Sequence, residues 1–217
     1  MEQMPKTNGD SETEFDLSGG ILCLDFANTV SRRNVPGQTR DNLPGYNDLV
    51  SFARETGLTS PKLSRELLDL SATRPSDAAR VLESAITLRE AIYRVFSAAA
   101  NARASKPADI KLIEKFATEA MTHRQIALGG GVYQWQWKRE KDELLKYVLW
   151  PIAQSASELL TSNRMSKVRE CEAQSCAWLF LDESRNHSRR WCDMKVCGNR
   201  EKARRHYARG KKEATRH

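Results

Sequence analysis

Four cysteines near the C-terminal end carry the most specific chemistry in the chain. Cys171 and Cys176 are separated by 4 residues, Cys176 and Cys192 by 15, and Cys192 and Cys197 by 4. Two close pairs joined by a longer segment are what a tetrahedral Zn²⁺ requires, because each pair sits on a turn and the intervening chain brings the turns together. Two disulfides, or four thiols that only fill space, are the competing readings. Met1 to Ser18 is polar and lacks a basic stretch followed by an apolar run and a small-residue cleavage site, so export is not expected. In a reducing compartment paired cysteines serve more often as ligands than as disulfides. One structural Zn²⁺ on Cys171, Cys176, Cys192 and Cys197 is therefore the expectation, its four thiolates leaving no open position for water or substrate. Cys23, between Leu22 and Leu24, reads as an ordinary buried small residue.

The segments around these cysteines must hold them in place. Cys171 to Cys176 should form the first turn and Ala177 to Leu181 a strand, with Trp178 and Phe180 on one side. Asp182 to Arg190 is rich in Ser, Asn and charge and reads as the connecting turn. Gly198 would permit a turn at the metal, and Asn199 would cap a helix that runs without a breaker to Gly210. Within that helix Ala203 and Tyr207 could face the zinc core. Lys202, Arg205, His206 and Arg209 recur at i, i+3, i+4 and i+7, with Arg204, Lys211 and Lys212 beside them. Arg189, Arg190 and Arg200 sit close to the metal in sequence, where they could meet a nucleic acid or offset the negative charge of four thiolates.

Charge is distributed unevenly. The chain of 217 residues has a net charge of +7, yet residues 163–217 carry 15 Lys or Arg against 7 Asp or Glu, leaving residues 1–162 slightly negative. Concentrated cationic charge in a small metal-bearing unit is the electrostatic footprint of a polyanion binder.

The first 160 or so residues read as helical. Residues 1–17 lack periodic apolar positions and are expected as a flexible tail. Leu22, Phe26 and Val30 favour a helix over a strand; Tyr46, Leu49, Val50 and Ala53 mark a second, closed by Gly57. Ser60-Pro61 opens a short helix, Ser76 a long one and Pro107 another with Ile110, Ile113, Ala117 and Ala120 on its inner face. Gly129 to Gly131 breaks the pattern before an extended Tyr133-Gln134-Trp135-Gln136-Trp137. A last helix from Leu145 to Leu159 contains Pro151, which should kink or divide it. The expected fold class is mainly α: a bundle of five to six helices over residues 18–162, then a small treble-clef-like zinc finger, β-hairpin plus helix, over residues 163–217.

Hydrophobic content of 40% and charged content of 29% fit a globular domain, and no apolar run approaches the ~18 residues of a membrane span. No nucleophile-base pair, phosphate loop or open metal site is visible in the bundle, so an enzyme is not expected. Asp25, Asn28 and Arg40 could line a small-ligand pocket for an effector; capping and loop hydrogen bonds are their alternative use. His123 is isolated, and Trp135 with Trp137 reads as packing.

Cys171 to Arg209, with Trp178-Leu179-Phe180-Leu181-Asp182, Ser184-Arg185-Asn186, Ser188-Arg189-Arg190-Trp191-Cys192 and Cys197-Gly198-Asn199-Arg200, closely resembles the CGNR zinc finger. Leu24-Asp25-Phe26-Ala27-Asn28-Thr29 resembles the start of the ABATE domain that accompanies this finger in bacterial proteins. The resemblance implies a bacterial, cytoplasmic, stress-induced transcription regulator whose finger binds DNA. A finger that docks on RNA or on an acidic protein, and a helical domain that binds or converts a small molecule, are the other expectations to be separated.

Overall fold

A computed structural model describes residues 15–214, with side chains through Ala208. Its described residues form seven α-helices: α1 (Leu22–Ala27), α2 (Tyr46–Glu55), α3 (Pro61–Thr73), α4 (Pro75–Ala100), α5 (Pro107–Thr122), α6 (Leu149–Leu160) and α7 (Asn199–Ala214). Three antiparallel two-stranded hairpins pair β1 (Val30–Ser31) with β2 (Arg40–Asp41), β3 (Arg124–Gly129) with β4 (Val132–Trp137), and β5 (Val168–Glu170) with β6 (Leu179–Leu181).

Most helix boundaries have local causes. Ser60 Oγ accepts the Leu63 N–H at 3.2 Å with Pro61 at the first helical position, and Gly57 leaves α2 at φ 73°. The long helix α4 opens at Pro75, one residue ahead of Ser76. The single helix expected from Leu145 is divided: a 3₁₀ turn (Leu144–Lys146) precedes α6, and Pro151 sits in the first turn of α6, where its missing N–H removes no helical bond. On α5, Ile113 and Ala120 are buried as expected, whereas Ile110 is exposed.

The tail expected over residues 1–17 falls largely outside the described residues, but its last part belongs to the fold. Phe15 is buried edge-on against Phe52, with ring centroids 5.4 Å apart, and its N–H donates to Glu55 at 2.8 Å. The ordered chain therefore includes residue 15, ahead of the boundary expected at 18. Strand β3 also differs from expectation. The chain leaves the helix at Thr122 and forms a regular hairpin whose turn, Gly130-Gly131, has φ of 60° and 83°, values that suit a two-residue turn.

The core of the bundle gathers Leu24, Phe26, Phe52, Leu88, Ile92, Phe96 and Ile152, all essentially inaccessible. Burying each such side chain contributes about 1.5–3 kcal/mol relative to exposure. The same core continues into the cysteine-bearing segment. Asn163 to Glu170 folds as a 3₁₀ helix (Asn163–Lys167) followed by β5, and Val168, Leu179 and Leu181 are buried among the bundle's side chains. Alternation along β6 explains how one short hairpin serves two cores: Leu179 and Leu181 face the helices, while Phe180 packs with the cysteines and Trp178 beside it.

Candidate metal centre

Cys171 leads from β5 into a tight turn in which the Cys176 N–H donates to the Ala173 carbonyl and Ala177 adopts φ 62°. The Cys171 N–H then closes the hairpin on the Trp178 carbonyl at 2.8 Å. Asp182, fully buried, organises the return: its Oδ1 accepts from the N–H and hydroxyl of Ser184, and its Oδ2 accepts from the Arg189 N–H. Burial alone would raise the Asp182 carboxyl, but these three donors hold it below the usual carboxylate range. An Asp two residues before a Ser is the signal for this Asx-type turn, and it was readable in the sequence.

The four cysteines converge. All are buried, none is bonded to another, and their sulfur atoms all lie within 4.8 Å of one another. Cys176 Sγ is 3.7 Å from Cys192 Sγ, which is 3.6 Å from Cys197 Sγ. A disulfide would bring two sulfurs to about 2.05 Å. Four thiolates at the 2.3 Å Zn–S distance define a tetrahedron with edges of about 3.8 Å, which matches the observed spacing. Crowding of the thiols also favours a cation. The four sulfurs are close enough that their ionisations are coupled. One ionised sulfur thus opposes the ionisation of a neighbour, an opposition that a divalent ion at the centre removes. The four cysteines hold one structural Zn²⁺. When bound, the ion supplies folding free energy to a unit whose own apolar cluster is small.

The helix after the cage starts differently from expectation. A π-turn (Met194–Gly198) precedes α7 without a break, and Asp193 is the cap, its Oδ1 accepting the Val196 N–H at 2.7 Å. Asn199 is already helical, with φ −67° and ψ −39°. Gly198 has no left-handed φ; a Cβ there would meet the Met194 side chain, which is exposed and free to move. Among the described side chains of α7 the buried one is Glu201, not Ala203 or Tyr207, both of which are exposed. Glu201 accepts the Gln174 N–H at 3.1 Å and a forked pair from Arg204 at 2.9 and 2.6 Å, tying the helix to the first cysteine turn. The Arg204 guanidinium holds the Glu201 carboxyl below its usual range.

The cations named from the sequence fall into distinct settings. Arg189 stacks 4.6 Å over Phe180 and donates to the Cys192 carbonyl; Arg190 pairs with Glu172 and lies 5.4 Å from the centroid of Trp191. Arg200 donates to Ser175 Oγ at 3.0 Å. Lys202 and Arg205 are exposed, Arg205 lying 5.9 Å from the centroid of Trp191. Arg209, Lys211 and Lys212 lie on α7 with side chains outside the described residues.

Asp25, Asn28 and Arg40 do not share a pocket. Asn28 is buried and clasps Leu179 of β6, its Nδ2 donating to the carbonyl and its Oδ1 accepting the N–H, each at 2.8 Å. Asp25 is buried and accepts the Gly19 N–H at 2.8 Å, and burial pushes its carboxyl up to about 7. Arg40 alone is exposed. Its neighbour Asp41 faces the other way: burial would raise its carboxyl, but a bidentate pair with the buried Arg89, at 2.7 Å on both oxygens, holds it low.

A helical domain whose core runs into a four-cysteine finger defines a zinc-finger protein in which the metal is structural. Comparison with protein families agrees: a model described as "Putative stress-induced transcription regulator" (ABATE) matches residues 20–163, and one described as "CGNR zinc finger" matches residues 167–210. The chain belongs to the ABATE family. A search of the curated proteins finds no match.

Proposed function

We propose that the chain is a DNA-binding transcription regulator rather than an enzyme, with α7 as the element that meets the duplex. The observation that carries this reading is that Lys202 through Ala208 are all exposed on a helix whose described side chains tie it to the rest of the chain at its start, by the cysteine cage and Glu201. A helix polar on all sides gains nothing from packing on its own protein, so its surface is free for a partner. Its 16 residues span about 24 Å, a length that crosses a major groove, and its cations suit phosphate oxygens. Among the described cations of this helix, Arg200, Lys202 and Arg205 are not engaged by a carboxylate; Arg200 donates to Ser175 Oγ, and we assign Lys202 and Arg205 to the backbone of the nucleic acid. Arg204, paired with Glu201, fixes the helix instead.

The closed cage supports this reading against catalysis, since four thiolates leave no coordination position for a substrate. No helix among the described residues is long and apolar enough to cross a membrane.

Competition of duplex DNA, structured RNA and single strands for the zinc-loaded chain at fixed salt tests the assignment. Preference for duplex DNA is the expected result. Equal or stronger binding of A-form RNA, whose major groove is closed to a helix, would overturn it.

A further inference from the structure

The β3–β4 hairpin stands apart from the rest of the surface. Residues 125–137 contain no charged side chain, in a chain of which 29% is charged. The register pairs Ile126 with Trp135 and Leu128 with Tyr133, so these four side chains stand on one face of the hairpin, with Trp137 at its base. Trp137 is half-buried and tilted against the buried Trp150 of α6, with 6.2 Å between ring centroids, which roots that face in the helical domain. Beyond the root the face is bare. Ile126 and Leu128 are each 63% exposed, Tyr133 75% and Trp135 55%, so Trp135 does not pack as its sequence setting suggests. Neither strand pairs with a third among the described residues, and Arg124, at the base of the same face, is held over the rings of Trp135 and Trp137 at 4.9 and 5.1 Å.

We infer that this face is the interface with a second copy of the chain, the two hairpins packing face to face across a two-fold axis. Four large apolar side chains held in water on one face of an element that packs chiefly on itself mark an interaction site. At these exposures they offer about 500 Å² per copy, so pairing two such faces removes about 1,000 Å² in total from water, the size a specific interface requires. A two-fold axis needs a self-complementary patch, and an uncharged strip meets its own image without repulsion even though the chain as a whole carries +7. For the same reason it offers a charged partner nothing to complement. The opposite face argues against a lipid surface. Gln125, Gln134 and Gln136 lie there and stay in water when only the apolar face is covered, whereas insertion of the hairpin into a bilayer would carry their amides out of water. The inference is independent of the nucleic-acid reading, because self-association is measured without nucleic acid.

Sedimentation velocity of the zinc-loaded full chain over about 1 to 100 μM provides the test. The parent chain is expected to form a dimer in a concentration-dependent way. Self-association should weaken about tenfold or more in Leu128→Lys, which sets two like charges into the interface, and in the double variant Tyr133→Ser/Trp135→Ser. The substituted side chains are exposed, so zinc content and the thermal midpoint of the dilute chain should match the parent. Leu128→Lys leaves Trp135 and its Arg124 contact in place, so it reports on association even if the double variant unfolds the hairpin. A parent chain that stays monomeric at the highest concentration, or a dimer that Leu128→Lys leaves unchanged, would overturn the inference. So would a monomer that binds phosphatidylcholine vesicles and loses that binding in Leu128→Lys, since the face would then belong to a lipid surface.

Discussion

Asn28 and Leu179 are joined by two hydrogen bonds, each 2.8 Å long, between the amide of one side chain and the backbone of one residue 151 positions away. This clasp sits beside the Trp178 Nε1–H bond to the Val30 carbonyl at 2.9 Å and the Leu181 N–H bond to the Gly19 carbonyl at 2.9 Å. Together they make the finger hairpin part of the bundle. Asn28→Ala should cost about 2–4 kcal/mol, because it leaves a buried N–H and C=O without partners. Denaturant unfolding of the zinc-loaded variant is expected to show one transition at lower denaturant. Two separate transitions in the parent chain would show that bundle and finger fold independently.

Removal of the metal should be felt beyond the cage. Cys192 stands between Cys176 and Cys197 at 3.7 and 3.6 Å, so Cys192→Ser removes a central ligand. Loss of stoichiometric zinc and of the helical signal of α7 is expected, with a lowered midpoint for the bundle because β6 carries residues of both cores. Full retention of ellipticity after chelation would contradict a structural role for the ion.

Arg89 is the most deeply buried cation among the described residues, and it forks onto Asp41 while also reaching Thr29 at 3.2 Å. Asp41→Asn removes the bidentate partner and leaves Glu90, 3.1 Å from Arg89 Nε and shared with Arg33, as the remaining acid. A loss of about 1.5–3 kcal/mol is expected in chemical unfolding. A change within 0.5 kcal/mol, about the scale of a neutral surface substitution, would show that the pair does not hold the β1–β2 hairpin to α4.

The buried Asp25 gives stability a pH dependence of definite sign. Its folded-state carboxyl is pushed up to about 7 by burial, above the ordinary value of 3.8. A raised carboxyl contributes stability while protonated in both states and loses it as pH rises from about 4 through 7, on the order of 4 kcal/mol for the full interval. Asp41 and Glu90 are shifted the other way, so their effect falls below about pH 4 and outside this window. Asp25→Asn keeps an oxygen for the Gly19 N–H; its unfolding free energy between pH 5 and pH 8 should be flatter than that of the parent, and an identical slope would contradict the shift.

The metal ligands were legible because cysteine spacing is a local property, and the helices because apolar periodicity and proline or glycine boundaries are local too. What the sequence hid was long-range. Val168 and Leu179 look like parts of a linker and a zinc hairpin until their partners in the bundle are known, and Asn28 looks like a loop cap or pocket residue until its clasp on β6 is seen. Glu201 was passed over because an acid among seven nearby cations reads as solvated charge, whereas it is the buried tie of α7 to the Gln174 turn. Asn199 misled as a cap because Asp193, six residues earlier, takes that role through a π-turn that periodicity does not announce.

The most direct test of the proposed role is the salt dependence of duplex DNA affinity for the zinc-loaded chain and its Lys202→Ala/Arg205→Ala variant. If six phosphates are neutralised, the slope of log affinity on log salt should be about −5, and the double variant should reduce its magnitude by about two while retaining zinc. A flat response in the parent chain, or an unchanged slope in the variant, would contradict the assignment of α7 to nucleic acid.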